Sequence, residues 1–148
     1  ALWRCRAWAQ LGALERRAER WTEALGAFLR AARVEGAPAQ LREDAACAAA
    51  RAHFELGEFD AGRRLLREVA EDSRNVFTRI RAYDAWAASY VRTRDLEAAA
   101  GVLELCRTAT RELAFEETPR GERVRLALER MRVIGALERA VAARRDAR

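Results

Sequence analysis

The side chains that could carry chemistry in this 148-residue chain are few. His53 is the only histidine, and Cys5, Cys47 and Cys106 are the only thiols. No Ser, Cys or carboxylate motif sets a nucleophile beside His53. No HExxH, P-loop or GxGxxG string occurs, so neither a catalytic zinc site nor a phosphate cradle is expected. The cysteines are odd in number and widely spaced, without a CxxC pair, which argues against both a disulfide framework and a zinc ligand set. The acidic pairs Glu71-Asp72 and Glu116-Glu117 sit where helices should end, and solvation explains them. The chain therefore reads as a non-enzyme without metal or cofactor. The remaining chemistry belongs to arginine: all 28 basic residues are Arg, against 23 acidic ones. Its planar fork suits carboxylates and phosphates.

Charge and composition narrow the partners. A net charge of +5 spread along the chain is thin support for nucleic acid. No apolar run approaches the ~18 residues of a membrane span. Free thiols at apolar positions suggest a reducing compartment, and a cytoplasmic location is expected. With 34 alanines but only 2 prolines, and few β-branched residues, the chain should be all-helical.

Punctuation and 3.6-residue periodicity predict seven helices, at about 2–18, 21–34, 39–55, 59–72, 75–92, 95–114 and 120–145. Breaks at Gly36-Ala37-Pro38, Gly57, Asp72-Ser73 and Thr118-Pro119 separate several of them. Short connections make successive helices antiparallel. The chain should form one domain over 1–148.

An internal repeat organises these helices. Trp8, Leu11, Gly12, Ala24, Phe28 and Ala31 reappear, shifted by 38, as Ala46, Ala49, Ala50, Gly62, Leu66 and Val69. A second shift of 37 reaches Tyr83, Trp86, Ala87, Ala99, Leu103 and Cys106. A fourth echo lies in the last helix, where Gly-Ala-Leu-Glu-Arg of 12–16 recurs at 135–139. Small residues such as Gly12 and Ala24 should let two helices approach closely, with Trp8, Leu11 and Phe28 filling the space beside them.

The pattern W-x2-L-G followed by A-x3-F-x2-A resembles the tetratricopeptide (TPR) repeat over about residues 5–145, with repeats at 5–38, 43–75 and 80–113. The period of 37–38 is longer than that family's usual 34, as in variant repeats of bacterial regulators and signalling ATPases. The resemblance implies a right-handed superhelix of antiparallel hairpins: three hairpins plus a C-terminal helix at 120–145 that caps the array or begins a fourth repeat. It also implies a concave groove lined by the first helix of each hairpin. Carried onto this sequence, the lining includes Arg6, Arg16 and Arg17, then Asp44, Arg51 and Phe54, then Arg81, Asp84, Val91 and Arg92. Alanines at positions 9 and 13 would leave room for a guest. The lysine–asparagine clamp that some members use for a C-terminal carboxylate is missing.

The expected function is a protein-interaction scaffold, a segment of a larger bacterial protein that holds an acidic peptide or helix with apolar anchors. The alternative is a ligand- or peptide-sensing regulatory domain of a transcriptional regulator or ATPase; a nucleic-acid-binding repeat ranks below both. The last helix offers a second stripe at Leu126, Val133, Leu137 and Ala140, expected to meet a further repeat or a second copy of the chain.

Overall fold

Alanine-rich, proline-poor segments bounded by short polar turns give helix throughout. The computed structural model describes all residues, Ala1–Arg148, and contains no strand. Packing divides the chain into two compact units, Ala1–Ser73 and Arg74–Arg148. The first holds α1 (Leu2–Arg17), α2 (Trp21–Ala32), α3 (Ala39–Glu55) and α4 (Phe59–Asp72). The second holds α5 (Val76–Arg92), α6 (Leu96–Phe115), α7 (Pro119–Glu129) and α8 (Arg132–Asp146). No helix is long and apolar enough to cross a membrane.

In the first unit each helix packs on the next, α1 on α2, α2 on α3 and α3 on α4, with a smaller contact between α1 and α3. The repeat positions decide how close they come. A Cβ added to Gly12 would lie 2.7 Å from the Phe28 ring. One added to Gly62 would lie 2.5 Å from the Phe54 ring and 2.8 Å from the Ala50 carbonyl. The glycine thus stands on the first helix of one hairpin and on the second helix of the next, each time opposite a phenylalanine. Ala24, Ala50, Leu66 and Ala99 are fully buried. Leu11 differs from expectation: it is 40 % exposed, because it points away from the contact that Gly12 makes. Trp8 lies half-buried with the Arg30 guanidinium 4.6 Å from its ring centroid.

The three hairpin turns are copies of one another. Glu19, Gly57 and Arg94 each have a positive φ, of 57°, 76° and 62°. Each donates its N–H to the carbonyl three residues back at 3.0 Å, on Arg16, Phe54 and Val91 respectively. The next residue donates five residues back in every case: Arg20 to Glu15, Glu58 to His53 and Asp95 to Tyr90. This is the six-to-one closure of a helix C-terminus that needs one left-handed residue. The same geometry recurs at steps of 38 and 37. Across the turn Glu15 forms an ion pair with Arg20, and one repeat on the His53 imidazole faces the Glu58 carboxylate, with the acid on the other side of the turn.

In the second unit α5 and α6 form the third hairpin. α7 packs mainly on α6, and α8 mainly on α5. The helix expected over 120–145 is broken at Arg130–Met131, where Met131 adopts an extended ψ of 129°. The cause is tertiary: both Asp84 carboxylate oxygens accept backbone N–H groups of α8, from Arg132 at 3.0 Å and Val133 at 2.8 Å. An aspartate on another helix thereby supplies the cap that Met131 cannot. The break also redirects the two stripes of the expected helix. Val133 is fully buried, whereas Leu126 stays 39 % exposed on α7, so Val133 leaves the outward face on which the sequence places it. Leu137 and Ala140 are half-buried on α8. A Cβ at Gly135 would meet only the Arg139 guanidinium, at 3.3 Å, so the Gly12-type helix contact is not repeated there.

The turn geometry makes a direct prediction. A non-glycine residue in the left-handed region costs about 1 kcal/mol. Gly57→Ala should therefore lower stability by about 1 kcal/mol, while Arg94→Gly should match or raise it by up to about 1 kcal/mol. Urea or thermal melts of the two variants compare them directly.

Candidate functional site

A concavity lies between α1 and α3. Helices presenting small residues to one another leave space above the contact, and here the space is a cleft of about 410 Å³. Its floor is Cys5, Phe28 and Ala45, all buried. Ala9, Ala13, Leu41 and Ala48 form half-buried walls. The Cys5 thiol donates to the Ala31 carbonyl at 3.3 Å, so the sulfur belongs to the packing of α1 on α2.

Polar groups stand on the rims. Arg6 and Gln10 come from α1 and Asp44 from α3, all exposed. Arg6 lies 5.3 Å from the Trp3 ring centroid. Asp44 accepts from the Gln40 amide at 3.0 Å. A cation on one rim and an anion on the other can orient a dipolar guest, while the alanine walls admit an apolar side chain. Arg16 stays near, 5.8 Å from the Phe28 ring.

The other predicted lining residues disperse. Arg17 and Arg51 are exposed and line no part of the cleft. Phe54 is 7 % exposed; it stacks on Phe59 with ring centroids 5.5 Å apart. It cannot serve as an apolar spot for a guest, because Gly62 opposite draws its ring into the α3–α4 contact. In the second unit Arg81 and Arg92 are exposed and Val91 is half-buried. Asp84 is committed to the α8 backbone. Phe28, Cys5 and Gln10 are cleft residues that the sequence did not assign there. A search for small residues at matching registers of α1 and α3 finds the walls, but Phe28 reaches the floor only because Gly12 lets its ring through.

His53 is a turn-spanning group: Nδ1 lies 3.2 Å from a Glu58 carboxylate oxygen. The three thiols are free. Burial pushes the Cys106 thiol up to about 12, reinforced by the negative charge of Asp84 and opposed by Arg79 and Arg107. Its sulfur lies 4.0 Å from that of Met131. A thiol so poised stays protonated at neutral pH and is a poor nucleophile. Nowhere do three or more His, Cys, Asp or Glu side chains gather as metal ligands would.

Compared with protein-family models, with curated proteins and with solved structures, the chain matches none.

Asp84 generates the prediction for this site. Asp84→Ala leaves two amide donors of α8 without their acceptor and should cost about 1–2 kcal/mol, with Asp84→Asn recovering part of the loss. Arg81→Glu, one turn away and exposed, should change stability by about 0.5 kcal/mol or less. Chemical denaturation of the three variants measures both.

Proposed function

We propose that this chain is a non-catalytic, TPR-like scaffold that holds a peptide or helix of a partner protein against the first helices of its hairpins. The single observation that carries this reading is the cleft between α1 and α3, apolar in floor and wall with Arg6 and Asp44 on opposite rims. The recurrence of one turn geometry at Glu19, Gly57 and Arg94 supports the helical-hairpin repeat in the proposal. The favoured guest is an amphipathic segment with one apolar anchor for the alanine walls and an acidic residue for Arg6.

A second reading has one observation in its favour. A volume of about 410 Å³ falls within the range of small-molecule pockets, which suits an effector-sensing regulatory domain. Such a ligand would raise the melting temperature with the logarithm of its excess.

An array of acidic amphipathic peptides separates these readings. Peptides with a carboxylate beside an apolar anchor should bind the wild-type chain. Arg6→Glu should weaken them by about tenfold or more, and Ala48→Trp, which fills the cleft, should do the same. Arg6→Glu should melt close to wild type, since Arg6 is exposed; Ala48 packs beside the Ala24, Phe28 and Ala49 core, so a thermal melt of Ala48→Trp accompanies its binding measurement. Equal binding by wild type and Ala48→Trp contradicts the proposal.

A further inference from the structure

One side of α1 is packed and the other is bare. Cys5 and Gly12 are buried, while Trp3, Ala7, Leu11 and Leu14 lie on the opposite side, at i, i+4, i+8 and i+11, within an arc of about 80°. Trp3 is 75 % exposed, Leu14 58 % and Leu11 40 %. Large apolar side chains in line along a helix are more than scattered surface residues.

The repeat register shows what such a stripe does elsewhere in the chain. Shifted by 38, the four positions are Leu41, Ala45, Ala49 and Ala52 of α3; shifted by 37 more, they are Thr78, Ala82, Trp86 and Ser89 of α5. Leu41 is half-buried and the other seven are buried. On α3 the cover is α2, the second helix of the preceding hairpin: Ala45 clusters with Ala31 and Val34, and Ala49 with Ala24 and Phe28. At the same time α3 turns Ala50 towards Gly62 of α4. A second helix thus covers α3 from each side, and α1 from one side only.

Charge decides what fits the bare side. Exposed Arg4, Arg6 and Arg17 flank the stripe, and the one acid of α1, Glu15, is paired with Arg20. A second copy of this chain suits the face poorly. Leu25 and Leu29 of α2, which pack beside its contact with α3, become Arg63 and Arg67 in α4 and Ala100 and Glu104 in α6. Helices α7 and α8 together carry seven arginines against four acids, and an antiparallel α1 would set Arg4 against Arg17. Like charges disfavour each of these pairings.

We infer that the Trp3–Leu14 stripe is a docking face for an acidic amphipathic helix of a partner protein, seated on α1 as α2 is seated on α3. The partner presents alanine and leucine to the stripe and carboxylates to Arg4 and Arg17. Trp3, Leu11 and Leu14 are larger than Leu41, Ala49 and Ala52, so the partner helix brings smaller residues than α2 does. None of the four stripe residues lines the α1–α3 cleft, and the inference stands apart from the function proposed for that cleft.

Fluorescence anisotropy with two labelled, capped helical peptides of α1's length tests it. Both present alanine and leucine at i, i+4, i+7 and i+11; one carries glutamates beside them and the other lysines. The glutamate peptide should bind wild type, more weakly as salt rises, and about tenfold or more tighter than the lysine peptide. Leu14→Glu should weaken it by about tenfold or more, with Trp3→Glu as the replacement should that variant melt early. Ala48→Trp, which fills the cleft, should bind it like wild type. Failure of the glutamate peptide to bind wild type overturns the inference, as does equal binding by Leu14→Glu, or a loss confined to a folded Ala48→Trp chain. Sedimentation velocity of the chain alone supplies the last arm: self-association that Leu14→Glu abolishes would make a second copy the occupant and overturn the inference too.

Discussion

The structure depends on how closely the two helices of a hairpin approach, and that distance is set by a pair of side chains of reciprocal size. In the first hairpin the pair is Gly12 with Phe28, and no Cβ fits between them. One repeat on, the same positions hold Ala50 and Leu66, both fully buried; two repeats on they hold Ala87 and Leu103. A neighbouring pair trades volume the other way, with Phe54 opposite Gly62. Interiors pack at crystal-like density, so a methyl group gained on one helix must be lost from the other. The cleft arises from the same constraint: Phe28 reaches its floor because Gly12 is bare.

The second unit solves a different problem. Its hairpin is closed by the same turn, with Arg94 in the left-handed region where Gly57 stands in the repeat before it. Of the two helices after that hairpin, α7 starts on its own Thr118 cap and Pro119, whereas α8 is held by tertiary contacts more than by helix signals. Asp84 captures the first amides of α8, Met131 turns the chain, and its sulfur meets that of Cys106 beneath. The buried thiol and the capping carboxylate are electrostatically coupled, since the Asp84 charge helps keep Cys106 protonated.

Much of this is legible in the residues and some is not. Six of the expected helices end within two residues of the observed ones, because turn residues, Pro38 and the caps Asn75, Asp95 and Thr118 mark them locally. The repeat was readable because the packing pairs recur at fixed spacing. The break at Arg130–Met131 was not readable: no glycine or proline marks it, and its cause lies 48 residues away in Asp84. The cleft was legible in part, through Arg6, Ala9, Ala13 and Asp44, whose registers on α1 and α3 match. Phe54 and Val133 were misplaced for one reason. Periodicity tells which residues share a face, and only the partner across the contact decides whether that face is covered.

A double-mutant cycle at Gly12 and Phe28 tests the reciprocal-size claim most directly. Helix propensity alone favours alanine over glycine by about 1 kcal/mol. Gly12→Ala should nevertheless destabilise by about 1–3 kcal/mol through crowding of the Phe28 ring. Phe28→Leu alone should also destabilise, by leaving a cavity. Combining them installs the Ala–Leu pair found in the later hairpins, and the double variant should be more stable than the sum of the single losses by about 1 kcal/mol or more. Strictly additive losses would contradict the account, because the two positions would then not share one volume.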